Sequence, residues 1–208
     1  MDVANLSFSA RELRDLAVAW LALGVAFAIF LDRRELLAVL SSPGVEAALT
    51  VGLLLVRALI TVGIGFLLHE LAHKAVAVRF DQIAEFRADY NMLGLAIIAA
   101  LAGFLFAAPG AVYHQGRITA RENGLIALAG PVTNLALAAL FLPVSLLGGY
   151  VGDVGSLGVT VNLLLAAFNM IPYGPLDGKT VLAWSTAVYA AVAVPTIGVA
   201  VWLLLSLF

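Results

Sequence analysis

The sequence predicts an all-α polytopic membrane protein with about five to six transmembrane helices and one short membrane-associated β-strand or hairpin. Three observations predict it. Of 208 residues, 63% are hydrophobic and 12% charged; mean hydropathy is +1.06; and several apolar runs approach the roughly 20 residues that a helix needs to cross ~30 Å of hydrocarbon. A soluble domain carries about a quarter charged residues, so that class is excluded. A net charge of -2 offers no basic face for nucleic acid. With no cysteine in the chain, any metal must be held by His, Asp or Glu.

The start, "MDVANLSFSARELRDLAVAW", carries acidic residues and lacks the basic region of a removable signal peptide. Within it "SARELRDL" reads as an N-capped amphipathic turn leading into a first span over 16–31. After the turn cluster "SSPG", a second span covers 48–78, long enough for its last turns to reach the water interface. The mixed-charge stretch 79–91 leads to the apolar segment 92–108. "PGAVYHQGRITAREN" (109–123) sets β-branched and aromatic residues between glycines and predicts a short strand or hairpin at the membrane face. A span over 124–148 contains "AGPVTN", the glycine-rich 148–158 reads as a loop, and a span over 159–176 ends in "NMIPYGPLDGKT", where two prolines break the helix. The last apolar segment, 181–208, reads as one span kinked at Pro195. No internal repeat or soluble module is visible, so 1–208 reads as a single transmembrane domain.

"LLHELAHKAV" (67–76) carries the chemistry. Residues four apart lie on one helix face, about 6 Å apart along the axis, so His69 and His73 can share one metal ion. Glu70 then lies beside that metal as a general base toward water. Ionisable groups inside membrane segments are costly and mark function. A catalytic zinc takes three protein ligands and keeps a fourth position for water. The best third ligand is Asp177, a carboxylate at the end of an apolar span beside prolines and glycines, where irregular backbone is tolerated if protein or a water-filled cavity satisfies it. His114, in the expected strand, is the rival.

Three motifs in register, "HELAH" (69–73), "AGPVTN" (129–134) and "NMIPYGPLDG" (169–178), resemble the site-2 protease family of intramembrane zinc metalloproteases, in a compact form without PDZ or CBS domains. The resemblance covers about 48–182. It implies one Zn(2+) ion per chain held by His69, His73 and Asp177, with Glu70 as catalytic base. It also implies Asn169 as a residue that hydrogen-bonds substrate backbone or the oxyanion, and Asn134 as a packing or positioning residue of the same region. Lys179 stands where a second glycine is common in the family, and the apolar 92–108 replaces a shorter polar connection.

The implied activity is hydrolysis of peptide bonds in or near transmembrane segments of membrane protein substrates. Strand residues Gly110, Ala111, Val112, Tyr113 and His114 are the expected edge for an unwound substrate. The alternatives are a membrane metal-ion transporter, which predicts further polar residues on several spans where this chain shows few outside the three motifs, and a catalytically silent scaffold, which predicts loss of one of the four site residues where all are present. For Asp177 to meet the histidines, their two spans must run in the same direction. Placing Arg11, Arg14, Lys74, Arg79, Arg87, Arg117, Arg121 and Lys179 inside, against Arg33 and Arg34 outside, predicts a cytosolic N-terminus and a cytosolic opening of the site. Parity then requires 92–108 to be re-entrant, unless 109–123 crosses back in extended form. Arg57 is placed either to pair with a bundle carboxylate or to snorkel toward the outer interface.

Overall fold

The computed structural model describes residues 6–41, 44–104 and 109–206. Among them, five helices are long and apolar enough to cross a membrane, and a two-stranded antiparallel sheet accompanies them. The protein is a multi-pass membrane protein of the expected all-α class.

Helix α1 (Ala10–Leu31) starts where Ser9 accepts a hydrogen bond from the Glu12 N–H, the cap that satisfies an otherwise orphaned donor. Its buried stripe, Leu16, Ala19, Leu23 and Phe27, packs on Ala58, Val62 and Phe66. After the short α2 (Arg33–Ser41), α3 (Val45–Ala58) passes through a π-helical turn (Leu59–Gly63) into α4 (Ile64–Arg79). Together they form a 35-residue rod, about 50 Å at 1.5 Å per residue, so one end extends past the hydrocarbon. A π-turn displaces carbonyls from the regular ladder. Here the Trp20 indole N–H donates to the Leu59 carbonyl at 3.1 Å, and Gly63 leaves room for that ring, since a Cβ would lie 2.5 Å from it. Arg57 pairs with Asp32 at the end of α1, which selects the ion pair over snorkelling.

Strands β1 (Ile83–Ala88) and β2 (Gly110–Gln115) pair antiparallel, with Phe86 opposite Val112 and Ala88 opposite Gly110. The strand expected in 109–123 is present, but its partner comes from the stretch 79–91 that read as a polar connection. Between them, α5 (Tyr90–Leu101) has 12 residues, about 18 Å of helix against ~30 Å of hydrocarbon. Because Ala88 faces Gly110, the segment returns beside the point where it left. Residues 105–108, part of the apolar 92–108 stretch, lie outside the described residues.

The outer edge of β1 is closed by α1. Glu12 accepts from the Phe86 N–H at 2.9 Å, while Asp15 accepts from the Ala88 N–H at 3.3 Å and from the Tyr90 hydroxyl at 2.6 Å. Glu12 also pairs with Lys74, whose ammonium donates to the Ser7 carbonyl at 2.6 Å and lies over the Phe8 ring. These carboxylates three residues apart on one helix face thus tie the sheet to α4, one residue beyond His73.

Helix α6 (Ala120–Ser145) opens on a capping box between Thr119 and Glu122. Helix α7 (Gly149–Asn169) corrects the sequence reading, because the expected loop 148–158 forms its first half. The glycines there serve close packing. A Cβ on Gly155 would lie 2.3 Å from the Ser145 backbone, and one on Gly158 would lie 2.3 Å from the Phe141 ring, both on α6. Small residues allow this approach between membrane helices. The helix stops at Asn169, short of the expected 176, and Pro172 and Pro175 lie in the turns before the short α8 (Asp177–Trp184). An extended Ser185 separates α8 from α9 (Thr186–Ser206). The last span therefore breaks at Ser185, and Pro195 lies inside α9, a second correction to the expected 181–208.

Candidate functional site

His69, Glu70 and His73 lie on one buried face of α4, pressed against α6 at Gly130. A Cβ on Gly130 would lie 2.5 Å from Nε2 of both histidines, so glycine is required for the close approach. Asp177 begins α8. It reaches the histidines because Gly178, next to it, packs against Met170 at the end of α7, where a Cβ would lie 2.2 Å from the Met170 carbonyl oxygen.

The hydrogen bonds decide what the three side chains present. The Ile126 carbonyl can only accept, so His73 Nδ1 donates to it at 2.7 Å. Asn134 Oδ1 accepts the N–H of His69 Nδ1 at 2.5 Å. Both Nε2 atoms therefore carry bare lone pairs. They face one another at 3.0 Å, and Asp177 Oδ2 lies 3.3 Å from one and 3.4 Å from the other. Asp177 Oδ2 is buried without a hydrogen-bond partner. Three acceptors that converge with no donor fit a divalent cation. Imidazole and carboxylate ligands whose second nitrogens are held by protein acceptors match the donor chemistry of zinc. Among the described residues, His69, His73 and Asp177 form the group whose ligand atoms lie within 4.8 Å of one another.

The cluster opens on a cavity of about 600 Å³. Glu70 lines it, and its carboxylate lies beside the Val112 backbone N–H. Asn169 lines it as well, with its amide donating to the Leu165 carbonyl at 3.0 Å. His114 lines the cavity from β2 but lies outside the ligand group. Burial, and after it the neighbouring His73, hold its imidazole below the ordinary histidine pKa. Gly110, Ala111 and Val112 border the cavity too, whereas Tyr113 is 67% exposed. Asn134 is fully buried behind His69 and bonded to it, to Gly65 and to Asn162. Its partners set it apart from the cavity, in keeping with the packing or positioning role expected of it.

β2 presents a usable edge. In an antiparallel pair, residues directly opposite either exchange both backbone hydrogen bonds or turn both away. The N–H groups of Phe86 and Ala88 point to α1, so their partners Val112 and Gly110 direct their backbone groups away from β1, toward the Glu70 side. Sequence reasoning missed the Ile126 carbonyl and Asn162, and it singled out Gly130 only as part of the "AGPVTN" motif, without its packing role. Asn162 carried a signal as a polar residue in the apolar run "GVTVNLLLAA".

The chain is 41% identical over 196 residues to "Putative zinc metalloprotease MJ0611" of Methanocaldococcus jannaschii, a similarity covering 92% of this chain and 93% of that protein. It is 31% identical over 144 residues to "Putative zinc metalloprotease YwhC" of Bacillus subtilis, covering 59% of this chain and 66% of the relative. Over 118 residues it is 36% identical to "Putative zinc metalloprotease Rip3" of Mycobacterium tuberculosis, covering 54% of this chain and 26% of the relative. No family model matches the chain, and no solved structure matches it. Similarity across nearly the whole chain, with the two histidines of its zinc helix meeting Asp177 in one buried cluster, means that the chain belongs to the zinc metalloproteases, in the compact site-2 protease family whose three motifs it carries.

Proposed function

We propose that this protein is an intramembrane endopeptidase that hydrolyses peptide bonds in or near transmembrane segments of other membrane proteins. One zinc ion per chain is held by His69, His73 and Asp177. The observation that carries the reading is the convergence of three unpartnered acceptors beside Glu70 in a cavity bordered by the edge of β2, with both histidines and Glu70 on a membrane-length helix. When bound, zinc supplies Lewis-acid polarisation of the scissile carbonyl and of water.

The chain's own groups do the rest. The backbone edge at Gly110 and Val112 pairs with a substrate segment that has unwound from helix to strand, with the Val112 N–H passing from Glu70 to the substrate carbonyl. Asn169 holds its backbone near the cleft. Glu70 accepts the proton of the attacking water as the new C–O bond forms, then delivers it to the amine nitrogen as the C–N bond breaks. The excess of basic residues on one side supports a cytosolic N-terminus and cleft opening in the cell membrane.

The test uses purified full-length protein in proteoliposomes with a single-span test substrate. Cleavage that stops on zinc chelation and returns with Zn(2+) is the expected result. Cleavage indifferent to chelation, or confined to unstructured soluble peptides, overturns the reading. The strand edge has its own test. Val112→Pro removes the N–H that faces the cleft and leaves the β1 ladder intact, so it is expected to lower cleavage about 10-fold, the scale of a lost hydrogen bond of ~1.5 kcal/mol, with zinc content unchanged. Full activity in Val112→Pro removes strand pairing from the mechanism.

A further inference from the structure

Whether His69 offers a lone pair to the metal depends on which end of the Asn134 amide faces it. An amide turned the other way would present N–H groups to His69 Nδ1, push its proton onto Nε2 and close that ligand position. The Asn134 amide nitrogen donates to the Gly65 carbonyl at 3.1 Å and to Asn162 Oδ1 at 2.9 Å. Both partners are acceptors, so both donors of Asn134 are committed and its oxygen must face His69.

Asn162 is itself oriented. Its amide nitrogen donates to the Gly158 carbonyl at 2.9 Å, and turning it would set oxygen against oxygen. Asn162 and Asn134 are both 0% exposed, so neither bond is open to bulk solvent. Gly65 makes the arrangement possible, because a Cβ there would lie 2.7 Å from Asn162 Oδ1. The bonds run in one sense, from His69 on α4 through Asn134 on α6 to Asn162 on α7, and end on a backbone carbonyl that cannot rotate.

We propose that Asn162 is a positioning residue for the metal centre, acting through Asn134 to hold His69 with Nε2 free for zinc. This rests on the reading of His69 as a metal ligand and deepens it. Its reach is a single atom, the oxygen that Asn162 offers to Asn134.

The test is zinc affinity of the purified full-length protein, measured by chelator competition in a double-mutant cycle. Asn162→Leu and Asn134→Ala are each expected to weaken zinc binding, Asn162→Leu by ~10-fold, the lower end for groups that orient a ligand. The double variant is expected to bind no more weakly than Asn134→Ala alone. Asn162→Asp is expected to restore affinity to near the wild-type value, because a buried carboxylic acid donates to Gly158 through one oxygen and accepts from Asn134 through the other. Nitrogen-15 NMR of the metal-free protein is expected to show the proton of His69 on Nδ1 in wild type and on Nε2 in part of the Asn162→Leu population.

Additive losses in the cycle, an unchanged Asn162→Leu, or an Asn162→Asp variant as weak as the leucine one overturns the proposal. If the leucine variant does not fold, Asn162→Ala takes its place in the same cycle and is judged by the same outcomes. A wild-type protein that binds no zinc rejects the metal site itself, an outcome separate from the failure of this relay.

Discussion

Glu70→Gln is expected to leave the protein folded and loaded with zinc while lowering cleavage of a membrane-inserted substrate by roughly 10²–10⁴-fold, the range for loss of a positioned general base. The substitution keeps the size of the side chain and an oxygen to accept from the Val112 N–H that lies beside it. It removes the ability to take a proton from water. Because Glu70 stands outside the ligand group of His69, His73 and Asp177, zinc content should be unaffected. The loss should fall on kcat, since proton transfer belongs to the transition state and not to substrate capture. The measurement pairs initial rates in proteoliposomes with zinc content by elemental analysis. Undiminished kcat would remove Glu70 from the chemistry, and loss of zinc would reassign it to holding the metal.

The zinc helix was legible because its chemistry is local: His69, Glu70 and His73 depend only on helical spacing. Asp177 was legible because the two histidines call for a third ligand, the chain has no cysteine, and this carboxylate stands at the broken end of an apolar span within the "NMIPYGPLDG" motif. The glycine-rich start of α7 was misread as a loop for a physical reason. Glycine weakens an isolated helix by about 1 kcal/mol per residue, and what offsets that here is contact with Ser145 and Phe141 on α6, invisible along a single sequence. Strand β1 was missed because its partner lies beyond an intervening helix, and only β2 carried the glycines that announce a strand. Asn134 was recognised as a site residue but not as a ligand-orienting one, since its partners come from α4 and α7 and their meeting is purely tertiary.

Non-local pairing also underlies the second large effect, which concerns stability. Lys74 and Glu12 are each 1% exposed and form an ion pair. Removing one partner of a buried pair leaves the other charge uncompensated, at a cost of ~3–5 kcal/mol, so Lys74→Met is expected to destabilise the protein by that amount in a detergent unfolding titration. Glu12→Gln should be comparably harmful, because it strands the ammonium. The double variant is expected to recover most of the loss, since glutamine still accepts from the Phe86 N–H that Glu12 holds at 2.9 Å and no charge remains buried. Removing that acceptor as well, with Glu12→Met in the double variant, should cost a further ~1–3 kcal/mol for the orphaned N–H. Activity should follow the same order, because Phe86 lies opposite Val112 and a sheet released from α1 carries the cleft edge away from Glu70. A Lys74→Met/Glu12→Gln variant as unstable as either single change would show that packing around the Lys74 stem, rather than charge compensation, holds the sheet to the zinc helix.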